Sequence, residues 1–268
     1  MDRQPRHCGG CGRSQVLLLR LLTGHPVRHF GRIDSTNLEA RRLAQQAERG
    51  PLWLLADEQT LGRGRLGRSW VSEPGNLYAT FLFAITQGSH LAAQVSFVAA
   101  LAVHDTVVTL RPELSPRIKW PNDVLIGGAK FCGVLPEVVG ENPTRIGIGF
   151  GLNIAHAPEG TPYPVTALGA DLSVATVLKE LDASLVRRLA QWDEGRDFTS
   201  IRADWSACAL GLGGSVTATS GTRQLAGTFR ELAADGALVL AQADGTVTPI
   251  HSGEVSFAEL EALRRKHA

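Results

Sequence analysis

The stretch RIGIGFGLNI, residues 145–154, constrains the fold more than any other in the chain. Ile146, Ile148, Phe150 and Leu152 alternate with Gly147, Gly149 and Gly151, the two-residue period of a β-strand whose successive side chains point to opposite faces. One face of this strand is apolar and needs a core. The other is nearly bare. Glycine weakens a strand interior and marks close approach by a ligand or another backbone.

Its neighbours build the rest of a sheet. RIKW turning at Pro121-Asn122-Asp123 into VLI, then KFCGVLPEVV, then RIGIGFGLNI read as a meander. Pro136 removes a backbone donor, so its strand is expected to be an edge or bulged there. WLLADEQ and NLYATFLFAI add two strands, and SHLAAQVSFVAALAVHDTVVTL, residues 89–110, is apolar over most faces, as a buried helix backing a sheet requires. In STNLEARRLAQQAERG, Thr36 is expected to N-cap a helix with Glu39 closing a capping box, Gly50-Pro51 ending it. Val177, Leu181, Leu185, Leu189 and Trp192 fall at helical spacing and belong to a core. After Gly211, short alternating segments punctuated by Asp235-Gly236 and Asp244-Gly245 predict a small all-β module that leans on the main domain. The class is α+β, a mixed or antiparallel sheet flanked by helices with a small β-rich tail. The expected division is a flexible segment 1–25, a main domain 26–208 and a module 209–260.

Across 268 residues the chain carries a formal net charge of only +1, which argues against wholesale attraction to nucleic acid or to acidic membranes. Its four cysteines, Cys8, Cys11, Cys132 and Cys208, are too scattered for a disulfide framework and point to a reducing compartment, the cytoplasm. VLLLRLL, residues 16–22, is short and broken by Arg20, which suits neither a signal peptide nor a span. Cys8 and Cys11 lack the further ligands a structural zinc site needs, so a flexible tail is expected.

Against that neutral background GRGRLGRSW, residues 62–70, is a local concentration of cations on a flexible loop. Glycines allow unusual backbone conformations, and guanidinium forks bond phosphate or carboxylate oxygens in pairs. At 4 Å and an effective dielectric near 20, one such contact is worth about 4 kcal/mol gross. The stretch is neither a P-loop nor a dinucleotide fingerprint. Lys119, Asn122 and Asp123 of KWPND and Lys130 of KFCGVLPE join it, which together imply an anionic phosphate ligand with an apolar companion.

In this order and spacing, STN at 35–37, EQT at 58–60, GRGRLGRSW, KWPND, KFCGVLPE and GFGLNI at 149–154 resemble the catalytic domain of the biotin protein ligases, a class II synthetase-like fold, across residues 30–155. The tail resembles that family's C-terminal SH3-like barrel. The resemblance implies activation of biotin by Mg-ATP as biotinyl-5′-AMP, then transfer to a lysine of a biotin carboxyl carrier domain. It places Ser35, Thr36, Asn37 and Gln59 around the ureido ring, and Arg63, Gly64 and Arg65 over the biotin tail and phosphate. Lys130 falls at the carboxylate and α-phosphate, with Lys130, Arg65 and Arg63 as the catalytic set. Trp70 lies near the adenylate and Asn153 at the adenine. Lys119, Asn122 and Asp123 fall on the nucleotide side, with Asp123 a candidate Mg2+ ligand. As structural alternatives, Trp70 is a core residue and Asp123 holds its turn.

Only about 30 residues precede the catalytic stretch, too few for the winged helix of the family's repressors, so no operator binding is expected. A monomer or homodimer is expected, with no membrane partner. Two alternatives stand beside this one. A lipoate or octanoate ligase shares a related fold. An RNA-binding module would use the arginine loop and aromatics of the small module, where Phe229 and Phe257 are the only candidates.

Overall fold

The computed structural model describes residues 21, 23–64, 67–220, 222–257 and 260. The Cys8–Cys11 segment, Arg65 and Leu66 lie outside the described residues.

The chain opens with β1 (Val27–Ile33), α1 (Thr36–Gln45), β2 (Leu52–Gln59), β3 (Leu77–Ile85) and α2 (Ala92–Leu110). It continues through β4 (Arg117–Lys119), β5 (Asp123–Ile126), β6 (Ala129–Gly140) and β7 (Thr144–Leu152) to α3 (Val174–Trp192) and α4 (Phe198–Cys208). These strands form one sheet of seven in the order β1-β2-β3-β7-β6-β5-β4. β1 and β2 are parallel, with α1 as their crossover, and every other pair is antiparallel. β4 to β7 are the expected meander.

The glycine-bearing β7 lies inside the sheet, between β3 and β6. Ile146, Ile148, Phe150 and Leu152 are all buried on its apolar face, each such side chain contributing about 1.5–3 kcal/mol on leaving water. Trp53 packs there against Phe81 and Phe150, ring centroids 4.9 and 5.6 Å apart. Residues 89–110 are long and apolar enough to cross a membrane, but Val95, Phe97–Val103, Thr106 and Val107 are buried and α2 packs on β6, α3 and α4. It is the core helix. On the opposite face α1 lies across β2, β3, β6 and β7.

β6 is interior by order yet an edge in part. β5 pairs with it only over Ala129–Cys132, so Pro136, which faces Ile148 of β7, lies where no strand among the described residues flanks the other side. The helix cap differs from expectation. Ser35 is the N-cap and makes no side-chain cap bond, while Thr36 is the first helical residue. Glu39 pairs with Arg42 instead of closing a box. Both hydroxyl and amide of Thr36 are engaged with Gln59, which outcompetes capping. β1 and α4 were not anticipated.

A second sheet follows: β8 (Ser215–Ser220), β9 (Arg223–Leu232), β10 (Leu238–Ala241), β11 (Val247–Ile250) and β12 (Glu254–Phe257), all antiparallel in the order β11-β10-β9-β8-β12. Phe229 and Phe257 are its buried centre, so neither offers a stacking face to RNA. The sheet leans on the first: Trp120 Nε1 donates to the Gly236 carbonyl at 3.0 Å, and Leu210 N to the Ile118 carbonyl at 2.8 Å.

Candidate active site

The bare face of β7 is the floor of a cavity of about 940 Å³. Ser35, Thr36 and Asn37 reach it from the start of α1, Gln59 from the end of β2, and Arg63, Gly64 and Trp70 from the arginine loop. Lys119, Asp123 and Lys130 close another side, from the ends of β4, β5 and β6. Residues spread over almost a hundred positions thus meet because the sheet order brings β2, β3, β7, β6 and β5 side by side.

What approaches the glycines is not a backbone. A Cβ on Gly149 would stand 2.3 Å from Asn37 Oδ1, and one on Gly151 would stand 2.6 Å from Trp70 Nε1. Gly133, the register partner of Gly151, would meet the same indole at 3.0 Å. The Trp70 ring therefore lies flat on two neighbouring strands that have no side chains beneath it, as a wall of the cavity and not a core residue.

The described ends of the loop pair with each other, Arg63 and Ser69 forming an antiparallel bridge. Gly64 N donates to the Arg68 carbonyl at 2.8 Å, and Trp70 N to the Gly62 carbonyl at 2.9 Å. Arg68 pairs with Glu254 of β12, and Glu254 and Thr219 line the same cavity. The small module thus supplies part of the wall.

Lys130 Nζ lies 2.9 Å from Asp123 Oδ1 and 5.7 Å from the ring centroids of both Trp70 and Tyr163. The ammonium is held by one carboxylate between two aromatic faces. Its backbone is pinned as well, Lys130 N donating to the Pro164 carbonyl at 2.8 Å and Thr166 N to the Lys130 carbonyl at 3.0 Å. Cys132, two residues on, is no nucleophile: burial pushes its thiol up to about 12.

A buried polar network underlies α1. Thr36 N donates to Gln59 Oε1 at 2.9 Å, and Gln59 Nε2 to Ser72 Oγ at 3.1 Å. Thr80 Oγ1, wholly buried on β3, lies 2.8 Å from Thr36 Oγ1 and 2.6 Å from Asn37 Oδ1.

Two expected residues stand outside the cavity lining. Asn122 is buried and donates from Nδ2 to the Val134 carbonyl at 2.7 Å. Asn153 is buried, and its Nδ2 donates to the Thr166 carbonyl at 3.1 Å, a bond that fastens the 153–166 segment. Tyr163, Thr80, Glu137 and the contributions of β12 were missed. Tyr163 sits in an irregular stretch without periodicity, and only the turn signals around Pro162 and Pro164 mark it.

Residues 30–153 match the biotin/lipoate A/B protein ligase family, and residues 211–258 the C-terminal domain of biotin protein ligases. The chain is 39% identical to a biotin acetyl-CoA-carboxylase ligase of Paracoccus denitrificans over 79% of this chain and 92% of that one. It is 32% identical to the ligase of the same name from Mycobacterium tuberculosis, over 82% and 85% of the two chains. The biotin protein ligase from Aquifex aeolicus in complex with biotin and ATP has the same fold, with a TM-score of 0.73 at 28% identity, covering 86% of this chain and 97% of that one. Fold and cavity therefore define an acid-activating protein ligase of the biotin/lipoate class. Within that class, the chain belongs to the biotin protein ligase family.

Proposed function

We propose that this chain activates biotin with ATP and transfers it to a lysine of a biotin carboxyl carrier domain. The observation that carries the reading is the single cavity in which an ammonium, an arginine loop and a polar pocket converge around a glycine floor.

In the first step a biotin carboxylate oxygen attacks the α-phosphorus of ATP. The new C(O)O–P bond gives biotinyl-5′-AMP, and the bond from the α-phosphorus to its bridging oxygen breaks to release diphosphate. In the second, the carrier lysine amine attacks the acyl carbon, forms an amide, loses a proton and expels AMP. Lys130 is the fixed cation for charge building between carboxylate and phosphate, and such preorganised charge is a large catalytic term. Arg63 and Arg65 cover the acyl phosphate and keep water from a hydrolysable anhydride. Ser35, Thr36, Asn37 and Gln59 take the ureido head, and Lys119 and Trp70 border the nucleotide.

Among the described residues no group of three or more His, Cys, Asp or Glu side chains could hold a metal ion. Asp123 alone suits a Mg2+ that arrives on the phosphates and keeps most of its waters, not a resident metal. Asn122 and Asn153 fall on the nucleotide side, their amides donating to the Val134 and Thr166 carbonyls. The residues 1–25, 26–208 and 209–260 form the proposed division, and the reducing cytoplasm is the proposed compartment.

Biotin-dependent exchange of labelled diphosphate into ATP tests the reading, with lipoate and octanoate as parallel acids. Exchange with biotin alone is expected. Exchange with lipoate or octanoate but not with biotin would overturn it.

A further inference from the structure

On the cavity floor runs a chain of hydrogen bonds whose direction is set at one end by a carboxylate and a backbone carbonyl. Glu137 Oε2 accepts from Asn37 Nδ2 at 2.7 Å, and the Leu135 carbonyl accepts from the same nitrogen at 3.2 Å. Both partners are pure acceptors, so they fix which end of the Asn37 amide is nitrogen, and its Oδ1 points the other way. That oxygen lies 2.6 Å from Thr80 Oγ1. An amide oxygen cannot donate, so the single Thr80 proton goes to Asn37. The 2.8 Å contact between the Thr80 and Thr36 hydroxyls then takes its proton from Thr36. Gln59 Oε1 accepts from the Thr36 amide at 2.9 Å and lies 3.1 Å from the Thr36 hydroxyl, so it is the longer of the two inward contacts open to that hydroxyl proton.

We propose that Glu137, acting through Asn37 and Thr80, is a positioning residue that commits the Thr36 hydroxyl proton inward, so that Thr36 offers the cavity an acceptor. The consequence is selectivity for an acid whose head group carries N–H donors, as a cyclic urea does, over one whose head carries none, as a dithiolane or an alkyl end does. This rests on the reading of the same cavity as a biotin site and adds the source of its discrimination. Three features make the relay more than packing. Thr80 is wholly buried, so water cannot substitute for it. Glu137 is itself a cavity residue, and its other oxygen lies 3.8 Å from Arg41, which keeps the carboxylate in place. Gly149 has no Cβ where Asn37 sits, and one there would stand 2.3 Å from Oδ1, so the floor is cut to admit that amide.

Calorimetric titration of the full chain with biotin and with lipoate tests the relay in Thr80→Val, Thr80→Ser, Glu137→Leu and Glu137→Gln, with thermal melting of each. Thr80→Val keeps the shape but not the proton, and Glu137→Leu leaves the Asn37 amide only the longer bond to the Leu135 carbonyl, 3.2 Å. Each is expected to weaken biotin roughly tenfold to a hundredfold and to leave lipoate unchanged. Thr80→Ser and Glu137→Gln, which keep the hydroxyl and the acceptor, are expected to restore most of the biotin affinity. Wild-type affinity in Thr80→Val, or a Thr80→Ser variant as weak as Thr80→Val, overturns the relay even if both fold. A wild-type chain that binds no biotin overturns the functional reading itself, and the relay's ligand with it.

Discussion

Lys130 and Asp123 form an ion pair of 2.9 Å inside the cavity, seven positions apart in the chain and joined through the β5–β6 hairpin. The hairpin carries a register shift between Val124 and Leu125, and Leu125, not Asp123, is the strand partner of Lys130. The pair exists because the lysine reaches back along the sheet, past the indole of Trp70. A cation placed this way is oriented before any substrate enters.

Lys130→Ala is therefore expected to lower the rate of biotin-dependent diphosphate exchange about 10²–10³-fold, the scale for loss of one preorganised donor, and to change biotin affinity far less. Asp123→Asn keeps an oxygen near the ammonium but loses the charge, and should slow exchange roughly tenfold. Excess Mg2+ should not restore it. Restoration by Mg2+ would make Asp123 a metal ligand and not a holder of the lysine.

The seat of Trp70 gives a second test. Gly151→Ala puts a methyl 2.6 Å from the indole nitrogen, and overpacking of this kind costs about 1–3 kcal/mol. The urea midpoint should fall accordingly, and exchange should slow as the ring leaves its place beside Lys130. In Gly151→Ala/Trp70→Ala the stability penalty should largely vanish, a coupling of about 1 kcal/mol or more. Gly31→Ala, with open space around it, should shift the midpoint little. Additive penalties in the double variant would show that the ring does not rest there.

Sequence pattern and structure agree where periodicity carries the information. The alternation of Ile146, Ile148, Phe150 and Leu152 with glycine named both the strand and its bare face, and the continuous apolar text of 89–110 named the core helix. β1 escaped because it is an edge strand, VRHFGRI, whose outward residues make polar contacts such as His29 with Asp57 and the Arg32–Glu58 ion pair and leave no alternation. The cavity residues that sit in a recognised motif, such as Lys119, Asp123, Lys130 and Trp70, were legible. Thr80 and Tyr163 were not, because a threonine in an apolar strand and a tyrosine between prolines acquire meaning only through neighbours distant in sequence, Thr36 and Asn37 for one and Lys130 for the other. Asn153 shows the converse. Its motif is present, but one N–H of its amide goes to the Thr166 carbonyl, a contact no local pattern announces.

Asp182 on α3 supports the fold in a way that stability measurements can read. It is buried, and its carboxylate accepts from Trp53 Nε1 at 2.8 Å, lies 2.7 Å from His25 Nδ1, and is bonded by the Thr23 hydroxyl. Asp182→Leu removes the acceptor from all three and strands the indole donor in the core. A loss of about 2–4 kcal/mol is expected, measured as a lower urea midpoint with unchanged slope. Asp182→Asn, which keeps one acceptor oxygen, should lose less. A wild-type midpoint for Asp182→Leu would mean that the three donors find other partners.

The last prediction concerns pH and lies on the far side of the sheet from the cavity. His104 of α2 is largely buried. Burial alone would lower its pKa, but hydrogen bonding to Asp105, 3.5 Å away, and to Cys208, 3.9 Å away, outweighs it, and the imidazole is pushed up to about 9. Asp105 is held below the usual carboxylate range although burial opposes this, because His104 and then Arg188, at 2.7 Å, bond its oxygens. Since the folded value of His104 exceeds its ordinary 6.5, the protonated imidazole stabilises the native state. That contribution is complete below pH 6.5 and is lost as pH rises through about 9, amounting to about 3 kcal/mol at most. The urea midpoint of the wild type should therefore fall between pH 6.5 and 9. His104→Asn should be less stable at pH 6 and show a flatter profile across the same window. Parallel profiles for the two chains would place the titrating group elsewhere. Because His104 is remote from Lys130 and Asp123, diphosphate exchange measured well below the unfolding transition should not follow this titration.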